Sequence, residues 1–402
     1  MKLLERIIPA FENIEFGSIN IELPNKELKY FKAKDGQNFI KDIPNAPDAE
    51  IKIYDWSVIE SCLQKGDIGL GESYINNYWD SSNISSLLLF FTLNAKVFEK
   101  FFHAKPINAI ILGLQSLLKK NTKKGSKKNI YAHYDLGNGF YKLWLDRSMT
   151  YSSGIFSEDI KSQPDKESLL KSQINKYQRI IEKIGLDNDV LEIGCGWGGF
   201  LNYATKSQKH ITSLTISHEQ ENFARSLIAE NNLQDKAKVV ICDYRDCTGQ
   251  FDAVVSIEMF EAVGREYWAT YFKQIYKCLR PKGIAVIQTI TIDNEIFNKY
   301  KKRTDFIQKY IFPGGVLPSK KIFKNMAEKC GLRVVEEYCF GFDYYLTIKI
   351  WLDNFDKSLV LINELGFSDN FIRKWRFYLA YCMAGFASKR TDVVQFTLVK
   401  DQ

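Results

Sequence analysis

A cluster of glycines is the first feature of this sequence that could support chemistry. The segment LEIGCGWGGF, residues 191–200, begins as an apolar strand pattern and continues into glycines that include Gly194, Gly196 and Gly198. Glycine allows a tight turn and a close approach of the backbone to a ligand at the carboxyl end of a strand. With Glu192 at the end of that strand, the E-x-G-x-G-x-G spacing predicts a cofactor-binding loop.

Polar residues follow the next predicted strand. The segment ITSLTISHEQ, residues 211–220, offers Thr215, Ser217 and Gln220, with Ile216 among them, where a cofactor-binding strand normally ends in an acidic residue. We predict that these residues contact the cofactor. Ser217 followed three residues later by Gln220 is also the pattern of a helix capping box, and the two interpretations are compatible.

The glycine spacing resembles the first motif of S-adenosylmethionine-dependent methyltransferases more than a dinucleotide-binding fingerprint. The third predicted strand leads to CDYRD, residues 242–246, where the resemblance would place Asp243 at the adenine amino group with Tyr244 and Arg245 flanking the ring. The alternatives are a nucleotide-binding or purely structural glycine loop, and a plain surface turn at 242–246.

The elements that would position these residues alternate along the chain from residue 180 onward. Helix patterns such as SHEQENFARSLIAENN separate strand patterns, which are DVLEIG, ITSLTI, AKVVIC, FDAVVSI, GIAVIQTI, LRVVEEY and VVQFTLV. This βαβ alternation predicts an α/β fold with a doubly wound, seven-stranded, mostly parallel sheet. We expect the Rossmann-like class I methyltransferase fold.

The first part of the chain has a different pattern. Residues 14–23 alternate apolar and polar side chains around a Gly-Ser pair, which predicts a hairpin. Residues 51–56 predict a strand, and residues 56–64 and 84–91 predict helices. We therefore expect a small N-terminal α+β accessory domain over residues 1–118.

A lysine-rich segment follows that domain. Residues 119–129, KKNTKKGSKKN, hold six lysines and no apolar side chain, and we predict a linker there with the catalytic domain at 130–402. The lysines are interpreted as a solvated linker or as a basic loop on anionic lipid headgroups, where each could add about 1 kcal/mol. A net charge of +7 suits such a surface or nucleic acid, and it is also common in ordinary soluble proteins.

Composition limits the remaining classes. An apolar share of 45% with 14% aromatic residues is typical of a folded chain with a sizeable core. The eight cysteines show no paired C-x-x-C spacing, which argues against a metal site. The longest apolar stretch, near residues 87–93, is too short to span a bilayer, so any membrane contact is predicted to be peripheral.

A series of segments in a fixed order carries a family resemblance. They are GDIGLGESYINNYWD, HYDLGNGFYKLWLDRSMTYSSGIF, LEIGCGWGG, LTISHEQ, MFEAVGREYW, QTITI, DFIQKYIFPGGVLPS and FDYYLT. Together they resemble the cyclopropane-fatty-acyl-phospholipid synthase family, which includes mycolic acid cyclopropane synthases and fatty-acyl methyltransferases. The resemblance covers residues 130–400 strongly and reaches residues 66–80. It implies S-adenosylmethionine as the cofactor, with Tyr151 and Ser152 helping to bind it.

The reaction of that family explains which residues would be needed. The π electrons of a cis double bond in a phospholipid acyl chain attack the sulfonium methyl, and loss of a proton from the new methyl group closes a three-membered ring. The resemblance implies a bound bicarbonate as the base, held by a Cys, a Glu, a His, a backbone amide near an Ile, and a Tyr. The corresponding residues here are Ser153, Glu261, Gln288, Ile290 and Tyr344.

Two of these positions depart from the family pattern. Ser153 stands at the cysteine and Gln288 at the histidine, yet a serine hydroxyl and a glutamine amide can each donate a hydrogen bond to an oxyanion. Glu261 could anchor the anion or act as the base directly, because a carbocation gives up a proton readily. A degenerate site without catalysis is the alternative.

Three functions remain open on the sequence. The first is a cyclopropane synthase that acts on unsaturated phospholipid acyl chains, and the second is a relative that gives a methyl-branched or methyl-unsaturated chain without ring closure. The third is methylation of an amine nitrogen, against which Ala262 counts because such relatives keep a histidine there.

The expected partners and location follow from the first two functions. We predict a cytoplasmic enzyme that is peripheral to the inner face of the cytoplasmic membrane. Its predicted partner is a phospholipid surface, and we expect no nucleic-acid partner. Family members are often dimers, so a homodimer stays an open prediction.

Overall fold

The structure is a computed structural model, and it describes residues 2–34, 47–101, 121–122, 125, 136–159, 161, 164–186 and 188–401. The chain divides into two compact units. Unit 1 comprises Met1–Leu118, Lys302–Ile311 and Leu359–Arg390, and unit 2 comprises Lys119–Lys301, Phe312–Ser358 and Thr391–Gln402. The predicted catalytic domain over 130–402 stays a prediction, and its bounds differ from those of unit 2 at the two later segments of unit 1.

The helices and strands of the described residues are numbered in chain order. The helices are α1 (Lys2–Glu12), α2 (Ser57–Lys65), α3 (Asp67–Ile75), α4 (Ile84–Leu93), α5 (Ala95–Phe101), α6 (Asn138–Lys142), α7 (Lys166–Ile184), α8 (Gly199–Lys206), α9 (His218–Glu230), α10 (Trp268–Cys278), α11 (Asn294–Tyr300), α12 (Phe306–Tyr310), α13 (Lys320–Lys329), α14 (Gly341–Lys357), α15 (Leu359–Glu364) and α16 (Asp369–Ala387). The strands are β1 (Ser18–Glu22), β2 (Leu28–Lys32), β3 (Asp48–Ile53), β4 (Trp79–Asp80), β5 (Asp189–Ile193), β6 (His210–Thr215), β7 (Ala237–Ile241), β8 (Phe251–Ile257), β9 (Leu279–Ile292), β10 (Leu332–Cys339) and β11 (Thr391–Lys400).

Unit 2 is built on a seven-stranded sheet with the strand order β10-β11-β9-β8-β5-β6-β7. The strands from β9 to β7 pair in parallel, whereas β11 runs antiparallel to both β9 and β10. Each of the seven strand patterns in the sequence corresponds to one of these strands. The predicted seven-stranded, mostly parallel sheet is confirmed.

Apolar side chains cover both faces of this sheet, because successive residues of a strand point to opposite sides. On one face Leu191 of β5 belongs to a core that contains Phe272 of α10. On the other face Val190 belongs to a core that contains Ile180 of α7 and Phe200 of α8. Two helical layers thus hold the paired strands β5 and β8 with their carboxyl ends at the same edge.

Unit 1 carries a four-stranded sheet with the order β2-β1-β3-β4. The hairpin predicted at 14–23 is wrong in position, because β1 pairs antiparallel with β2 and the turn runs from Leu23 to Glu27. Gly17 lies before β1 with φ +72°, where an added Cβ would come within 2.3 Å of the Pro47 carbonyl oxygen. This glycine therefore permits a close backbone approach and does not form the turn.

The late segments of unit 1 pack on its early helices. α16 lies against α3 and α4, and α12 lies against α3. A Cβ added at Gly71 of α3 would lie 2.5 Å from the ring of Phe306 and 3.0 Å from that of Phe377. Both segments belong to unit 1 because their aromatic side chains pack on the same glycine-bearing face of α3.

A separate feature concerns the helices of both units. None of the helices in the part of the chain that the structure describes combines the length and apolar composition needed to cross a bilayer.

Candidate active site

The glycine loop connects β5 to α8 and has a backbone that other residues rarely adopt. Gly194, Gly196 and Gly198 have φ angles of +90°, +49° and +84°. A Cβ added at Gly194 would lie 3.1 Å from the side chain of Met259, whereas one added at Gly196 would meet no described atom within 4 Å. The loop therefore packs against the end of β8 on one side and leaves open space on the other, as a cofactor cradle requires.

Glu192 lies inside the sheet just before this loop. Its side chain is only 2% exposed, and its Oε2 accepts a hydrogen bond from Ser213 Oγ of β6 at 2.5 Å. Burial raises the pKa of Glu192 to about 7. The carboxyl group thus ties β5 to β6, and its predicted contact with the cofactor stays a prediction.

The polar residues after β6 form a small hydrogen-bonded turn. Ser217 Oγ accepts from the Gln220 backbone N–H at 3.3 Å and so caps the N-terminus of α9. The reciprocal half of a capping box is missing, because Gln220 Oε1 accepts from Thr215 Oγ1 at 2.9 Å and the Ser217 N–H donates to Thr215 Oγ1 at 3.1 Å. Ile216 is partly buried between them.

The segment after β7 is held by an ion pair within the chain. Arg245 donates to both carboxylate oxygens of Asp243, with Nε–Oδ1 at 2.8 Å and Nη2–Oδ2 at 2.6 Å. The ring of Tyr244 packs edge-on against Tyr271 of the core at 5.5 Å. Asp243 is therefore fixed in place by its neighbour, and the predicted position of an adenine ring beside Tyr244 and Arg245 remains untested.

One residue of the lysine-rich segment belongs to this region. Asn121 is 3% exposed, and its Nδ2 donates to the carbonyl oxygens of Ala262 at 3.0 Å and Gly314 at 2.9 Å. The description of the segment as a solvated linker therefore does not hold for Asn121. The rest of 119–129 lies largely outside the described residues.

The segment YSSGIF, residues 151–156, is packed tightly in unit 2. Ser152 Oγ accepts from the buried ammonium of Lys176 at 2.6 Å. A Cβ at Gly154 would lie 2.0 Å from Ser172 Oγ, so only glycine lets the segment pack this closely on α7. The hydroxyl of Ser153 donates to the Gly154 carbonyl oxygen at 2.9 Å. The backbone N–H of Ser153 donates to a different group, and the predicted contact of the hydroxyl with an anion stays a prediction.

The acceptor for that N–H is Glu258, a residue that the sequence analysis missed. Glu258 Oε1 accepts from the Ser153 N–H at 2.9 Å and from Gln288 Nε2 at 2.7 Å, and its Oε2 accepts from the Tyr344 hydroxyl at 2.6 Å. Three of the five residues predicted to hold an anion thus converge on one carboxylate of the chain. Its place directly after the predicted strand FDAVVSI was the only signal in the sequence.

Glu261 forms the second carboxyl group of the site, in a short 3-10 turn after β8. Its Oε1 accepts from the Ile290 backbone N–H at 2.5 Å and from Thr289 Oγ1 at 3.1 Å. Its Oε2 is buried and has no hydrogen-bond partner among the described residues. The structure therefore brings Glu261 and Ile290 together as predicted for the site, with Glu261 as the acceptor.

The two carboxyl groups differ in how their charge is supported. Burial, and then the charge of Glu258, raises the pKa of Glu261 to about 8. Burial also raises the pKa of Glu258, but hydrogen bonds from Tyr344, Ser153 and Gln288 and the charge of Lys176 oppose that shift. Near neutral pH we assign the negative charge to Glu258 and the proton to Glu261.

Aromatic rings link this site to the glycine loop. Tyr344 contacts Trp351 at 6.0 Å between ring centroids, and Trp351 contacts Tyr151 at 5.3 Å. Tyr151 in turn contacts Tyr141, which packs on Trp197 of the glycine loop at 4.8 Å. The predicted cofactor residue Tyr151 therefore lies in one apolar wall with the residues around Glu258.

Comparisons with known proteins agree with these motifs. The family model for mycolic acid cyclopropane synthetase matches residues 121–396, well over half of the chain. The tuberculostearic acid methyltransferase UfaA1 of Mycobacterium tuberculosis is 36% identical over 343 residues, which are 84% of this chain and 79% of that protein. The cyclopropane-fatty-acyl-phospholipid synthase of Escherichia coli is 32% identical over 364 residues, 88% of each chain.

A solved structure resembles the fold as well. Mycolic acid cyclopropane synthase CmaA1 complexed with SAH and CTAB matches with a TM-score of 0.63 at 29% identity, over 68% of this chain and 98% of that one. The sheet of unit 2 is thus the class I methyltransferase sheet. On these grounds the chain belongs to the family of mycolic acid cyclopropane synthetase and cyclopropane-fatty-acyl-phospholipid synthase, the S-adenosylmethionine-dependent lipid methyltransferases.

Proposed function

We propose that this enzyme transfers the methyl group of S-adenosylmethionine to the cis double bond of an unsaturated phospholipid acyl chain and closes a cyclopropane ring. One observation carries the proposal. The carboxyl groups of Glu258 and Glu261 lie where β8 ends, and Met259 between them packs against Gly194 of the cofactor loop. A proton acceptor beside a methyl donor is the arrangement that methylation of an alkene needs.

The residues of unit 2 fit the cofactor. The open side of the loop at Gly196 accommodates a ligand against the backbone, and Thr215 with Gln220 offers polar groups at the end of the neighbouring strand. S-adenosylmethionine, when bound, supplies an electrophilic methyl group. The chain's own residues would hold it beside the aromatic wall of Tyr151 and Trp351.

An alkene is a weak nucleophile, so the enzyme has to exclude water and align the reacting carbons. The aromatic wall provides an apolar surface for the acyl chain, and aromatic faces stabilise a nearby positive charge. Glu258 carries the negative charge of the site, which would further stabilise a developing carbocation.

A second candidate is methylation without ring closure, which gives a methyl-branched or methyl-unsaturated chain. The similarity to a tuberculostearic acid methyltransferase, at 36% identity, favours it. The cyclopropane and the methyl-unsaturated chain differ only in which proton leaves the cation, whereas a saturated methyl-branched chain would require a later reduction by a separate hydride donor. Ser153 and Gln288 stand where the family pattern has a cysteine and a histidine. These differences change the groups around the proton acceptor, so they affect which product forms.

We further propose that the enzyme works at the inner face of the cytoplasmic membrane as a peripheral protein. A net charge of +7 and the six lysines of residues 119–128 would attract anionic headgroups. Flotation with anionic vesicles should retain the protein at low salt and release it at high salt. Equal binding to zwitterionic vesicles at both salt concentrations would contradict this part of the proposal.

The function itself is tested by lipid profiling of a heterologous bacterial host. We expect acyl chains heavier by one CH₂ at the expense of unsaturated chains, with upfield ring protons in the NMR spectrum of the extracted lipids. A new methyl signal without ring protons would establish the second candidate instead. An unchanged lipid profile, together with no binding of S-adenosylmethionine by calorimetry, would refute both.

A further inference from the structure

The carboxylate of Glu258 fills a site of hydrogen-bond donors that was expected to hold a separate anion. The Ser153 N–H, the Gln288 amide and the Tyr344 hydroxyl all donate to it, at 2.9, 2.7 and 2.6 Å. The Ile290 N–H, a further expected donor, is taken by Glu261. The chain itself therefore supplies the negative groups that these donors bind.

The backbone of Glu258 supports this interpretation independently. Glu258 has a φ of +51°, the left-handed region that favours glycine and that costs energy for a residue with a side chain. Its own N–H donates to the Gln288 carbonyl oxygen at 2.8 Å, which anchors the residue at the edge of the sheet. The strained backbone and this anchor direct the carboxylate toward the three donors.

The Gln288 amide is oriented so that its nitrogen faces Glu258. Gln395 lies directly opposite Gln288 on β11, and Gln395 Nε2 donates to Gln288 Oε1 at 3.1 Å. Both amides are almost fully buried. Gln395 is therefore a positioning residue that keeps a donor on the carboxylate.

The charged and titratable groups that face Glu258 come from three elements. They are Tyr344 of α14, Lys176 of α7 and Glu261 of the turn after β8. Lys176 is fully buried, and burial lowers its pKa to about 7. With the proton assigned to Glu261, the carboxylate of Glu258 lies beside a phenol, a carboxylic acid and the amino group of Lys176, whose positive charge favours the charged form of Glu258.

We propose that Glu258 is the catalytic base of the reaction and replaces a bound bicarbonate. The inference rests on the proposed function. After methyl transfer, a Glu258 oxygen accepts a proton from the carbon cation. The electron pair of the broken C–H bond forms the new C–C bond of the ring, or a C=C bond in the second candidate. The resulting carboxylic acid of Glu258 then releases its proton to solvent.

The test compares Glu258→Gly and Glu258→Gln with an exposed control, Glu328→Gln, in buffer freed of bicarbonate. Wild type and control should be fully active there, and both Glu258 variants should lose about 100-fold or more. Glycine adopts a φ of +51° freely, so Glu258→Gly should fold, which retained SAH binding by calorimetry would verify. Added formate should restore activity to Glu258→Gly and not to Glu258→Gln, because only the glycine leaves room for an anion.

The outcomes separate the inference from the proposed function. A wild type that methylates lipids only when bicarbonate is added would overturn the inference and leave the function intact. The same holds if Glu258→Gly binds SAH and stays inactive with formate, or stays fully active without it. A wild type that makes no methylated lipid under any condition would instead refute the proposed function.

Discussion

Each unit of the protein contains a pair of partly buried carboxyl groups, and the two pairs can be compared directly. In unit 1, burial and then the charge of Asp67 raise the pKa of Asp305 to about 7. In unit 2, burial and then the charge of Glu258 raise the pKa of Glu261 to about 8. The electrostatic description of the two pairs is nearly the same.

Their hydrogen bonds are different. Asp305 Oδ1 accepts from the Gln308 N–H at 2.8 Å in a capping box at the start of α12, and Asp67 Oδ2 accepts from the Phe306 N–H at 3.2 Å and the Tyr381 hydroxyl at 2.9 Å. These contacts secure the start of α12. Glu258, in contrast, has a left-handed backbone and gathers donors from three separate elements.

A raised pKa therefore does not by itself identify a catalytic carboxyl group. A structural ion pair or a helix cap can shift the pKa of a carboxyl group as strongly as an active site does. Backbone strain and the convergence of donors from distant segments distinguish the two pairs here.

The largest expected difference between the pairs is in activity. Glu258→Gln replaces the carboxyl group by an amide. Methylation should fall by about 100-fold, because an amide cannot accept the proton. Asp305→Asn should keep the activity, because asparagine also caps a helix. Product formation by lipid mass spectrometry measures both. Equal losses in the two variants would remove the distinction drawn between the pairs.

Glu261 sharpens the contrast within unit 2. Glu261→Gln should lose far less activity than Glu258→Gln, because a neutral amide imitates a protonated carboxyl group and still accepts from the Ile290 N–H. Glu261→Ala leaves that N–H unsatisfied and should lower the free energy of unfolding by about 1–3 kcal/mol. The free energy of unfolding, measured with denaturant, and the methylation activity are to be compared for the two Glu261 variants. Loss of activity in Glu261→Gln as severe as in Glu258→Gln would assign the base to Glu261.

The cap in unit 1 gives a smaller and purely structural effect. Asp305→Ala removes the acceptor for the Gln308 N–H and should destabilise the protein by about 1 kcal/mol. Asp305→Asn should recover most of that stability, since its side-chain oxygen replaces the acceptor. Thermal unfolding of the three proteins provides the comparison, and identical midpoints would show that the cap contributes nothing.

The last expected difference concerns the pH dependence of stability. A carboxyl group whose pKa is raised in the folded state binds its proton more tightly there than in the unfolded chain, so stability falls as pH rises from about 4.5 toward the folded pKa. For Glu261 that value is about 8. Unfolding free energies of Glu261→Gln measured between pH 5 and 8 should fall less steeply than those of wild type, and parallel curves would contradict the assignment of the proton to Glu261.

Much of the fold could be predicted from the sequence because its signals are local. Strands in the core of a sheet appear as short apolar runs, and all seven strands of the larger sheet were recognised. The hairpin of unit 1 was misplaced because Gly17 looked like a turn residue, whereas its φ serves a close approach to Pro47. The two segments that join unit 1 were missed because nothing local marks which helix an aromatic side chain will cover.

The candidate site was predicted only in part. Ser153, Gln288 and Tyr344 do converge, as the family motifs led us to expect, but on Glu258, which lies 105, 30 and 86 residues away from them in sequence. The hydroxyl of Ser153 turns to its own neighbour, and its backbone N–H makes the contact. Neither fact can be read from residue types.

The sequence by itself determined the strand order along the chain, the glycine loop and the family, since burial pattern and backbone freedom are properties of short segments. Only the tertiary structure decided that donors from three distant segments meet on Glu258, whereas Glu261 keeps one carboxyl oxygen without a partner among the described residues. That difference depends on how many donors reach each carboxylate and on how much water is excluded. Both quantities arise when distant segments pack together.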